Sequence, residues 1–203
     1  MSSKRGRPRE YDPDRALDAA IALFLARGYA ATTLDALSEA TGMQRPSLYA
    51  AFGDKRTIFA SVVRRFQQRM SATLEEALGQ DHLDEALSAL LVKVTDIYSP
   101  RDGLACGCLV FGVAAVEAVE CEVMRATVEG AINALDERIR SRLARAVEDA
   151  ELPPQCDVQT LARMVGAAMH SISLRARSGA SRRSLLAFAR KAVAMVLAGA
   201  RAL

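Results

Sequence analysis

Glycine and proline are scarce in this chain, 12 and 6 of 203 residues, and no run of Val, Ile or Thr alternates with period two. Both absences argue against a sheet protein and for an all-α one, with Ala, Leu and Arg supplying helix formers. No stretch approaches the ~20 consecutive apolar residues a membrane span requires. The first residues are polar and cationic with no apolar core behind them, so the protein is expected to be cytoplasmic. Four cysteines (Cys106, Cys108, Cys121, Cys156) are too few for a disulfide framework. Two histidines and no dense cluster of ligating side chains argue against a metal site, and no cofactor is expected. No Ser/His/Asp grouping or phosphate-cradling glycine loop supports an enzyme.

What is present is uneven. Residues 1–70 carry 12 Lys and Arg against 7 Asp and Glu, a net +5, whereas residues 71–203 carry 15 against 17, a net −2. A basic head on a slightly acidic body is the charge pattern of a module that meets a polyanion. Residues 1–11 lack apolar periodicity and read as a flexible basic arm. Within it Arg5-Gly6-Arg7-Pro8 is similar to the core of an AT-hook, in which glycine lies on the minor-groove floor between two arginines.

Helical signals follow in series. Asp12 caps a first helix opened by Pro13, and Gly28 ends it. Thr32 and Asp35 read as a capping box for a second helix that stops at Gly42. Pro46 opens a short third helix. A long fourth helix over about 54–78 links head to body. Further helices are expected over about 83–98, 106–118, 120–150, 157–177 and 181–200. The 106–118 segment is apolar nearly all round and is expected at the centre of the body.

Two short helices joined by a tight glycine turn can present the second to a DNA major groove. The segment Leu17 to Phe59 resembles the DNA-binding domain of TetR-family transcriptional regulators. The residues that carry the resemblance are Ala19, Ala20, Leu23, Phe24, Gly28, Tyr29, Thr32, Thr33, Leu37, Gly42, Met43, Leu48, Tyr49, Phe52 and Lys55. One departure is Ala51, where the family often has His or Tyr. The resemblance implies an N-terminal three-helix helix-turn-helix domain, here residues 12–60, followed by a C-terminal helical ligand-binding and dimerisation domain, residues 61–203. It implies double-stranded DNA with a palindromic operator as partner, a small-molecule inducer of unidentified chemistry, and a homodimer that acts as a repressor.

On that reading Gln44, Arg45, Pro46 and Ser47 sit at the exposed start of the third helix. Arg there can donate bidentately to guanine and Gln can pair with adenine. Thr33, Tyr49 and Lys55 would anchor phosphates by analogy with the family, and Arg5 and Arg7 would assist from the arm. Tyr49 as a buried packing tyrosine is the alternative. The family also places a dimer interface on its last helices, here the stripe Leu161, Val165, Met169, Ile172, Leu185, Phe188, Ala189, Ala192, Val193 and Val196. The alternative is that this stripe is intramolecular core, and each helix can do some of both. A pocket is expected between about 83 and 175, with Tyr98, Cys108, Phe111, Val113, Met164 and His170 as candidate lining. A thiol-switched regulator sensing through Cys106, near a helix N-terminus, is the alternative to a pocket ligand.

Overall fold

The computed structural model describes residues 12–99 and 107–202. Helix α1 (Pro13–Arg27) begins where the Asp12 carboxylate accepts from the Asp14 N–H at 2.9 Å, and it ends at Gly28, whose N–H donates to the Phe24 carbonyl. Helix α2 (Leu34–Thr41) is capped by Thr33, whose hydroxyl accepts from the Ala36 N–H at 3.1 Å. Thr32 is therefore not the cap that its spacing to Asp35 suggests. It is fully buried, and its hydroxyl donates to the Gly28 carbonyl at 2.6 Å, closing the loop between the two helices. Gly42 adopts the left-handed conformation that sets the turn into α3 (Arg45–Phe52). Helix α4 (Lys55–Leu78) starts at Asp54, which accepts from the Thr57 N–H at 2.8 Å, and its 24 residues span ~36 Å.

The head is organised by aromatic rings from three elements. Phe24 and Phe59 meet edge to face at 4.8 Å between centroids, and Tyr29 tilts on Phe59 at 4.9 Å. Because Phe59 belongs to α4, the head is packed directly on the helix that carries it. Leu37 and Leu48 complete that core, fixing α2 and α3 against it.

The body comprises α5 (Leu83–Tyr98), α6 (Ala115–Glu117), α7 (Glu122–Glu148), α8 (Val158–Arg177) and α9 (Arg182–Ala202). Helix α5 packs against α4, α8 and α9, and α7 packs against α8 and α4. The segment expected as one regular helix over 106–118 is not one. Gly107 and Cys108 lie outside any helix, a π turn covers Val110–Ala114, and α6 is a single short turn. Its first half is buried, but Val116 and Val119 are exposed, so only residues 108–114 reach the centre. A π turn widens the backbone by one residue and recurs at functional sites.

The α8 and α9 stripe is packed within the chain itself. Leu161, Val165, Met169, Ile172, Leu185, Ala189, Val193 and Val196 are all buried within the single chain, and Phe188 and Ala192 are half-buried against the same core. Among the described residues, the large apolar side chains that these helices leave in solvent are Met164, Leu174 and Met195. Within the chain these helices pack against α5 and against each other.

Candidate DNA interface and body cavity

Eight residues of α3 are held to the head by one buried side chain, Leu48, while Arg45, Pro46, Ser47 and Tyr49 face solvent together with Gln44 at the helix start. Gln44 makes no capping bond with its side chain. Tyr49 is 45% exposed, which excludes the packing-tyrosine alternative. The Arg45 guanidinium is ion-paired with Asp35 of α2, and that bond holds the Asp35 carboxyl below its ordinary range. Both groups are exposed, so the pair is weak in water and can be exchanged for a base edge or a phosphate.

Thr33 and Lys55 flank the loop between α1 and α2. The Thr33 oxygen is used as an acceptor in the cap, which leaves its O–H free to donate outward. The Lys55 ammonium lies 4.4 Å from the centroid of the Tyr29 ring and donates to the Ala30 carbonyl at 3.3 Å. Those contacts orient it while leaving further donors for an anion. Arg5, Arg7 and Cys106 lie outside the described residues.

Two sets of contacts tie this head to the body. Arg65 of α4 bonds Asp14 at 3.0 Å and Asp18 at 3.2 Å, and Arg69 bonds Asp18 at 3.2 Å. Burial alone would raise the Asp18 carboxyl, but the two guanidinium groups outweigh it and hold that carboxyl below its usual value. Arg177, near the end of α8, donates to the carbonyl of Leu25 in α1 at 2.9 Å. These contacts join residues 47 to 152 positions apart, and no local sequence signal announces them.

The body holds a cavity of about 260 Å³, partly open to solvent, between α4, α5, the π turn, α7 and α8. Of the candidate lining residues, Tyr98, Cys108 and Phe111 border this space. Val113 is buried elsewhere in the core, Met164 is on the solvent face of α8, and the His170 ring tilts on Phe111 at 4.2 Å between centroids without lining the space. Sequence reasoning missed two walls. Phe66, Gln67, Met70, Ser71 and Leu74 come from α4, while Gly130, Ala131, Ala134 and Arg138 come from α7. The small residues on α7 create the space, and their close spacing on one helix was the available clue. The thiol of Cys108 and the hydroxyl of Tyr98 are paired in the wall, and burial raises both above their ordinary values. A neutral, buried thiol is a poor nucleophile. Among the described residues, no group of three or more His, Cys, Asp or Glu could hold a metal ion. No described helix is long and apolar enough to cross a membrane.

An exposed helix-turn-helix face on a helical body defines a DNA-binding regulator, and comparison with known proteins supplies the family. Residues 16–62 match the bacterial regulatory proteins of the tetR family, and residues 85–193 match the tetracyclin repressor-like C-terminal domain. The chain is 32% identical over 192 residues to the HTH-type transcriptional repressor ComR of Escherichia coli K12, covering 93% of this chain and 90% of ComR. It is 35% identical over 106 residues to the repressor BdcR of the same organism, about half of each chain. Among solved structures, a cysteine-substituted form of the TetR family regulator CifR, complexed with 26 bp double-strand operator DNA, aligns with a TM-score of 0.83 at 30% identity. That alignment covers 92% of this chain and 98% of CifR. The chain belongs to the TetR family of transcriptional regulators, which are not enzymes.

Proposed function

We propose that the protein is a homodimeric repressor that holds a palindromic operator through α3 and releases it when a small molecule occupies the body cavity. The observation that carries this reading is the double role of α4. The same helix packs the head through Phe59 and walls the cavity through Phe66, Gln67, Met70, Ser71 and Leu74. A ligand that binds better to a body with α4 displaced shifts the population of heads away from the DNA-bound arrangement. The operator-bound state of CifR supports a duplex DNA partner for this fold. A short recognition helix reads few bases, and a two-fold dimer doubles the site.

The exposed apolar residues Met164, Leu174 and Met195 on α8 and α9 are where a second copy would pack. The test combines sedimentation with retardation of DNA fragments from the regions flanking the coding sequence. Sedimentation as a dimer and retardation of an inverted-repeat fragment at low salt are expected. A folded monomer, or a dimer that retards no such fragment, overturns the reading.

A further inference from the structure

The cavity has apolar walls but a charged corner. Arg138 of α7 is the one charged side chain among the described residues that line it, and no carboxylate faces the space. The Arg138 side chain is 35% exposed and reaches across to α4. Its Nη1 donates to the Ser71 carbonyl at 3.3 Å and to Glu75 Oε1 at 3.1 Å, and its Nη2 donates to Ser71 Oγ at 2.5 Å. Glu75 is 72% exposed, so water competes for its carboxylate and the pair is weakly held. The other polar groups at the walls are Gln67, Ser71 and the Tyr98 hydroxyl.

We infer that the cavity takes a compact apolar acid, its hydrocarbon body against Phe66, Met70, Leu74 and Phe111 and its anionic head on Arg138. The inference rests on the reading of the cavity as the effector site and adds the class of ligand and its anchor. A cation finds no counter-charge among the residues lining the space, and a neutral molecule offers the guanidinium no charge-assisted bond in exchange for those to Ser71 and Glu75. A carboxylate matches the planar fork of Arg in a charge-assisted pair. At roughly 20–30 Å³ per non-hydrogen atom, the space admits a ligand of about ten such atoms. The same event acts on the linker. An acid head that takes Arg138 from Ser71 and Glu75 removes hydrogen bonds that hold α4 to α7.

The test uses the full chain, isothermal titration and matched probes: 3-phenylpropionate and octanoate against their primary amides. Each acid is expected to bind about tenfold or more tighter than its amide, as charge assistance provides. That preference is expected to vanish in Arg138→Gln, with an unchanged melting temperature showing that the variant is folded. Ala134→Met, one turn before Arg138 on the same face of α7, fills the space and is expected to abolish binding of the acids. Equal affinity for acid and amide, no binding by either acid, an acid preference surviving in Arg138→Gln, or acid binding that survives Ala134→Met each overturns the inference. Operator retardation is measured separately without probes. Its failure counts against the regulator reading and leaves the acid–amide comparison intact.

Discussion

Replacing Gly107 with alanine probes the backbone that delivers Cys108, Val110 and Phe111 to the cavity. Gly107 has φ +74°, a conformation that costs an L-residue about 1–2 kcal/mol. A Cβ placed there would lie 2.9 Å from the Ser173 carbonyl oxygen and 3.4 Å from both the Ser173 hydroxyl and Arg177 Cβ. The first of these neighbours is backbone of α8 and cannot swing away. Overpacking of that kind adds about 1–3 kcal/mol. Relief by shifting the segment would also stretch the bond from the Cys108 N–H to Ser173 Oγ, now 2.8 Å. The expected loss is therefore about 2–5 kcal/mol, or a fall in Tm of roughly 4–20 °C for a chain of this size. Gly130→Ala is the control. It lies within α7, a Cβ there meets nothing within 4 Å, and alanine should stabilise the helix by about 1 kcal/mol. The chain has no tryptophan, so urea unfolding is followed by far-ultraviolet circular dichroism at fixed protein concentration. A Gly107→Ala variant with the parental midpoint and slope would refute the reasoning.

The local features of the fold were legible and the long-range ones were not, for physical reasons that particular residues show. Asp12, Gly28 and Asp54 announce helix ends because a cap is a contract between neighbours in sequence. Thr32 and Thr33 mark the limit of that logic. Both carry hydroxyls at the right place, and only the fold decides which accepts from α2 and which turns inward to Gly28. Along α8 and α9, a period of 3.6 identifies a buried face without identifying what buries it. By sequence Leu161 and Val165 suit a second copy or their own core, and within the chain both are buried. The cavity was half visible. Tyr98 and Phe111 are apolar bulk of the kind that lines pockets, but Gly130 and Ala134 contribute by lacking bulk. Ser71, Gln67 and Arg138 read in sequence as a solvated helix face. The π turn over Val110–Ala114 has no signature in the local sequence pattern.

The remaining predictions concern the head. Arg45→Ala should cost about 1–3 kcal/mol of operator affinity, concentrated at one base position, and little stability, since its pair with Asp35 is exposed. Fluorescence anisotropy on single-base variants of the operator measures it, and a loss spread evenly over all of them would place Arg45 on a phosphate instead. Tyr49→Phe should weaken binding by about 0.5–1.5 kcal/mol for every duplex alike, and an effect on the melting temperature would show that the hydroxyl serves the fold. The last prediction concerns acid. The Asp18 carboxyl is held below its ordinary value in the folded chain by Arg65 and Arg69, which offset the effect of burial. A depressed carboxyl contributes stability that is fully present above its unfolded value, about 3.9, and is lost as pH falls through the folded value. Asp18→Asn should therefore be less stable than the parent at pH 7, and the difference should close as pH drops below about 4. Urea midpoints of the two proteins across that range decide the matter. A gap that stays constant with pH would mean that shape and packing at Asp18, rather than its charge, hold α1 on the linker helix.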